Sequence, residues 1–183
     1  MIVEETRLKD CYVIKPAIFE DHRGYFFESF NAVKFQKRTG LIINFVQDNE
    51  SKSCKGVLRG LHFQIGNHEQ SKLVRVVKGA VLDICVDIRK GSPTFGHSFS
   101  IELNEENKIQ LLVPKGFAHG FLVLDDDTII NYKCDNFYQK ESERGILFND
   151  KDLNIDWGVP EDEIILSEKD KELPTLSEYL NEK

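Results

Sequence analysis

From residue 56 to residue 134 the chain is a succession of short strand-like runs, each cut off by glycine, proline, asparagine or aspartate. "GVLRGLHFQ", "KLVRVVKGAVLDICVDIR", "HSFSIEL", "KIQLLVP", "HGFLVL" and "TIINYKC" follow one another in this way. Such spacing is the pattern of an all-β sandwich or barrel, with a jelly roll high among the candidates. Within "AVLDICVDI", Ala80, Leu82, Ile84, Val86 and Ile88 alternate with Val81, Asp83, Cys85 and Asp87. A period of two predicts a sheet with two unequal faces. Gly79 separates this run from "KLVRVVK", as a turn residue would.

Helices are expected only towards the two ends. "NAVKFQKRTG" offers Asn31 as an N-cap and Gly40 just past the last turn. "TLSEYLNEK" begins with Thr175 and Glu178 at capping-box spacing and places Leu176, Tyr179 and Leu180 on one stripe. No repeat, low-complexity tract or long linker divides the chain, so residues 1–183 read as one domain.

A net charge of −7 argues against nucleic acid as a partner, since that role needs a basic face. A few converging cations can still bind a phosphorylated small molecule. The N-terminal stretch has no apolar signal core and no run nears the length of a membrane span. Cys11, Cys54, Cys85 and Cys134 contain no CxxC pair, and reduced thiols are expected. The reading is a cytoplasmic protein with no membrane partner.

"GVLRGLHFQ" places a fixed cation, Arg59, and a titratable imidazole, His62, in a segment built for burial. Three residues apart, they would point to opposite faces of a regular strand. Gly60 offers a bulge that re-aims the second; otherwise Arg59 caps the sandwich surface. Lys72 opens the next run, and His119 sits in "PKGFAHGF" beside turn residues. If the strands share one sandwich, these groups could converge, and histidine is the side chain best suited to moving protons near neutral pH. Arg23 and Glu28 flank a hairpin turn favoured by Asp21 and Gly24. Gln47 and Asn49 could read a pyrimidine edge or be plain loop residues. Tyr132 shares a face with Ile130 and Cys134, as a site phenol or a core one. Asp170 lies in the first turn behind Ser167. The five histidines at 22, 62, 68, 97 and 119 lack ligand spacing, so no metal is expected.

Taken together, "FEDHRGYFFESF", "FVQDNESKS", "GVLRGLHFQ", "VPKGFAHGFLVL", "NYKCDNFYQKESERGILFND" and "ILSEKDKELP" make the chain resemble the dTDP-4-dehydrorhamnose 3,5-epimerase family over nearly its whole length. The resemblance implies a cupin-type jelly-roll β-sandwich with short peripheral helices, without metal or cofactor, acting as a homodimer on a dTDP-linked 4-keto-6-deoxyhexose. It implies His62 as the base at C3 and C5, oriented by Asp170, Lys72 as the stabiliser of the enolate oxygen, and Tyr132 as the acid on the opposite face. It further implies Gln47, Asn49, Arg59, His119, Tyr138, Glu143 and Lys169 as substrate-binding residues. Arg23 and Glu28 match a segment that reaches the neighbouring subunit's site. Relatives that invert one carbon only, act on another nucleotide sugar, or bind sugar nucleotide without turnover are the alternatives.

Overall fold

Two antiparallel sheets stack face to face. The first has the spatial order β1 (Ile2–Glu5), β2 (Tyr12–Lys15), β10 (Gln110–Val113), β7 (Lys72–Lys78), β12 (Thr128–Cys134) and β5 (Gln47–Ser53). The second runs β13 (Glu143–Gly145), β6 (Leu58–Gln64), β11 (Phe117–Val123), β8 (Ala80–Asp87) and β9 (Ser98–Asn104). A separate hairpin is formed by β3 (Ile18–Asp21) and β4 (Gly24–Phe27). This is the jelly-roll sandwich expected, seen in a computed structural model that describes residues 1–181. Glu182 and Lys183, the last two residues of the expected C-terminal helix segment, lie outside the described residues.

The three α-helices are peripheral, as the sequence suggested. In α1 (Ala32–Thr39) the Asn31 side chain accepts from the Lys34 N–H, and Gly40 ends the helix at φ 76°. Ser167 caps the short α2 (Glu168–Lys171) by accepting from the Asp170 N–H. The capping box of α3 (Leu176–Asn181) forms as read: the Thr175 N–H donates to Glu178, and the Glu178 N–H to the Thr175 hydroxyl.

The alternation in β8 has an outcome the pattern alone did not specify. Val81 and Cys85 join Val74, Val76, Phe121 and Ile130 in the core between the sheets. Ile84 and Val86 face the other way, under Ile146, Phe148, Trp157, Leu176 and Tyr179 of the C-terminal segment. Both faces of the second sheet are therefore covered, and the face that carries Asp83 and Asp87 is the inner one. Each fully buried aliphatic chain here contributes roughly 1.5–3 kcal/mol. A third apolar cluster, with Ile14, Phe35, Leu73 and Leu112, packs α1 on the outside of the first sheet.

The stretch from Gln47 to Ser53, legible as a polar loop, is instead an edge strand. Its register on β12 sets Gln47 opposite Cys134 and Asn49 opposite Tyr132. Its inner-face residues, at 47, 49, 51 and 53, are half-buried polar groups with no apolar member. Backbone pairing to β12 rather than side-chain hydrophobicity holds it in place.

Candidate active site

The core does not fill the whole space between the sheets. At one end, inner-face residues of β5, β7 and β12 meet those of β6 and β11 around a cavity of about 430 Å³. Arg59, His62, Lys72, His119, Tyr132, Lys169 and Asp170 all line it. An adjoining space of about 260 Å³ shares His62, Lys72 and Tyr132 and is lined also by Gln47, Asn49, Tyr138 and Glu143. The three shared side chains stand where the two spaces meet.

The conflict between Arg59 and His62 is resolved by the bulge. His119 pairs with His62 and Phe121 with Arg59, so three steps along β6 oppose two along β11. Gly60 is the residue that makes this fit. Its φ is 129°, and a Cβ there would stand 2.5 Å from Gly120 Cα and 2.8 Å from the His119 carbonyl oxygen. The Gly60–Leu61 peptide is cis. Arg59 then reaches the cavity with its guanidinium donating to the Ser53 hydroxyl at 3.1 Å.

His62 is held from outside the sandwich. Its Nε2 lies 2.6 Å from Asp170 Oδ1, and Asp170 is almost wholly buried in α2. Burial alone would raise the Asp170 pKa, but the hydrogen bond and charge of His62, the Ser167 hydroxyl and Lys169 outweigh it and hold the carboxyl below its usual value. The carboxylate thus occupies Nε2, and Nδ1 is the nitrogen left for the cavity.

Lys72 and Tyr132 sit on adjacent strands, with the ammonium 5.9 Å from the centre of the phenol ring. Burial lowers the Lys72 pKa, and Cys134, Asp83 and Glu143 act against that. Burial raises the Tyr132 pKa, helped by Cys134 and opposed by Arg59, so the phenol keeps its proton firmly. Such a pairing puts a cation and a protonated acid side by side near a carboxylate-held imidazole. It suits removal of a proton from carbon beside a carbonyl, stabilisation of the resulting oxyanion and return of a proton.

A chain of hydrogen bonds lines the second space. Asn49 donates to Cys134 Sγ at 3.7 Å, Gln47 to Asn49 at 3.0 Å, the Tyr138 N–H to Gln47 at 3.0 Å, and the Tyr138 hydroxyl to Glu143 at 3.0 Å. Lys169 pairs with Glu143 and so ties α2 to β13. Burial would raise the Glu143 pKa, but Lys169 and Tyr138 bring it below the usual value.

Arg23 and Glu28 are not part of this cavity in the monomer. Arg23 is exposed at the β3–β4 turn and pairs with Asp21 at 2.6 Å; Glu28 pairs with Lys34 at 2.8 Å. Asp83, which the sequence did not single out, touches a cavity-lining residue: both its oxygens lie near His119 Nε2. The available signal was a charged residue on a strand whose two faces both needed burial. Among the described residues, no group of three or more His, Cys, Asp and Glu side chains could hold a metal ion. Among the described residues, no helix is long and apolar enough to cross a membrane.

The family model described as dTDP-4-dehydrorhamnose 3,5-epimerase matches residues 5–178. The chain belongs to that family. A dTDP-4-dehydrorhamnose 3,5-epimerase from Shigella flexneri is 52% identical over 170 residues, covering 93% of each chain. The crystal structure of the dTDP-4-dehydrorhamnose 3,5-epimerase from Elizabethkingia anophelis is 56% identical, superposes with a TM-score of 0.94 and covers 97% of each chain. A Legionella pneumophila epimerase solved in complex with dTDP-4-keto-L-rhamnose is 46% identical, with a TM-score of 0.92, over 96% of this chain and 93% of that one. Epimerases of this family are isomerases, and this chain matches its relatives at nearly full length.

Proposed function

We propose that the chain is a dTDP-4-dehydrorhamnose 3,5-epimerase, converting dTDP-4-dehydro-6-deoxy-D-glucose to dTDP-4-dehydro-L-rhamnose. The observation that carries this is the convergence of the His62–Asp170 pair with Lys72 and Tyr132 at the junction of the two cavities. His62 Nδ1 takes the proton from the carbon beside the C4 ketone. The C–H electron pair moves into a C=C bond while the carbonyl pair moves onto oxygen, and the Lys72 ammonium stabilises that oxyanion. Tyr132 then gives its proton to the opposite face of the carbon, the ketone re-forms, and both residues re-equilibrate with solvent. The step repeats at the second carbon. Electrons stay within the substrate, so the reaction as drawn needs no cofactor.

Arg59 and His119 are the groups suited to the anionic nucleotide and the sugar, and Gln47, Asn49, Tyr138, Glu143 and Lys169 form the wall around the second space. The exposed hairpin supports a homodimer. Phe19 and Phe26 are 65% and 69% exposed beside Arg23, which is the setting of a segment meant to be covered by a second copy. The cytoplasmic location remains the reading of the cysteine pattern.

Turnover in deuterated water tests the reading directly. With dTDP-4-keto-6-deoxyglucose, the expected result is deuterium at both C3 and C5, and none with His62→Ala. Label at one carbon would make the chain a monofunctional epimerase, and unaltered substrate would make it a binding protein.

A further inference from the structure

Asp83 has no role in the scheme above, yet its position is unusual. It has no exposed surface, stands in the middle of β8, and shares its face with the core residues Val81 and Cys85. A carboxylate in such surroundings is strongly disfavoured without a partner. That partner is His119, whose Nε2 lies 3.0 Å from one carboxylate oxygen and 3.1 Å from the other. An ionised carboxylate only accepts hydrogen bonds, so Nε2 carries the hydrogen and Nδ1 is the nitrogen left for the cavity that His119 lines. In the β11–β6 ladder His119 is the direct partner of His62. Opposed residues carry their side chains on one face, with Cβ atoms about 4.5–5.5 Å apart. His119 therefore belongs to the reacting end of the cavity.

We propose that Asp83 is a positioning residue for the epimerisation: it fixes His119 as the Nε2–H form and turns its Nδ1 to the sugar ring beside His62. This rests on the sugar-nucleotide reading given above. The two imidazoles would then be oriented alike, each by a carboxylate at Nε2, but from opposite sides of β6 and β11. Asp170 reaches His62 from α2, and Asp83 reaches His119 from the neighbouring strand β8. The Asp83 charge also acts on Lys72 across the sandwich, opposing the effect of burial on that amine.

The test compares D83N, H119A and the double variant on dTDP-4-keto-6-deoxyglucose. D83N is expected to lower kcat about 10- to 100-fold with KM within about threefold of wild type, within the ~10²-fold that a small misplacement of the reacting sugar can cost. In the H119A background D83N is expected to add little, because a residue acting through His119 has nothing left to position. Losses that multiply, or a D83N enzyme with wild-type kcat, would overturn the assignment. Two-bond proton–nitrogen spectra of the wild-type imidazole rings give a reading that survives if D83N does not fold. Hydrogen on Nε2 of His119 is expected, and a bare Nε2 would overturn the link. Because the spectra need no turnover, a wild-type chain that fails to epimerise would sink the functional reading while leaving the Asp83–His119 link to be decided separately.

Discussion

Burial draws the proton affinity of the Lys72 amine down, and burial draws that of the Tyr132 phenol up. The two groups thus part company in alkaline solution. An ordinary lysine titrates near ~10.4; a lowered value means that Lys72 loses its charge at a lower pH than that. Tyr132, shifted the other way, is still protonated there. The alkaline limb of kcat against pH is therefore expected below the ordinary lysine range and to report Lys72, and a limb at or above that range would count against the enolate role. Replacing the amine by an apolar chain, Lys72→Met, is expected to cost ~10²–10³-fold in kcat, the size seen when one oxyanion donor is removed. The candidates His62, Lys72, His119 and Tyr132, which line one cavity, were legible because chemically unusual residues stand out in apolar strands. The inward place of Asp83 was not, because the alternation in β8 marks two unequal faces without saying which of them looks inward. Arg23 and Glu28 could be read only through resemblance, since nothing within one copy brings them to the cavity.

At the scale of elements, β6 shows how one residue decides where two others point. The Gly60 bulge was anticipated from the three-residue spacing, and the β6–β11 register bears it out. Gly60→Ala would bring a Cβ against Gly120 Cα and the His119 carbonyl while forcing a φ of 129° on an L side chain. A loss of about 2–4 kcal/mol in unfolding free energy is expected from this clash and strain, together with loss of turnover. Denaturant melts and the deuterium assay measure the two effects, and a fully stable, active variant would show that the bulge is dispensable. The apolar strands and both capped terminal helices were readable because burial and capping leave local signatures. The edge strand β5 was not: its inner face carries Gln47, Asn49, Ser51 and Ser53, which a strand needs for a polar cavity wall but which look like a loop in sequence.

For the whole molecule, the β3–β4 hairpin is the part that one copy leaves unexplained. If Arg23 serves the neighbouring copy's cavity, defects in Arg23 and His62 should complement across a dimer. H62A and R23A, each nearly inactive alone, are expected to recover up to about a quarter of wild-type activity after mixed refolding, since half the random dimers carry one intact site of two. No recovery, with mixed dimers verified by mass, would confine the site to one chain. The sandwich class follows from strands that could be located in sequence between residues 56 and 134; the sheet order does not, since it also needs β1, β2, β5 and β13, which carry no such signal. Phe19 and Phe26 stay exposed on this hairpin, and no local pattern in the sequence says what would cover them.

His62 belongs to a strand in the first half of the chain, but the carboxylate that orients it comes from α2, near the C-terminal end, on a segment that wraps the outer face of the second sheet. The same segment supplies Trp157, Leu176 and Tyr179 to the apolar cover of that sheet. Whatever loosens the cover also loosens the carboxylate on the imidazole, so the orientation of His62 and the packing of the C-terminal segment share one support.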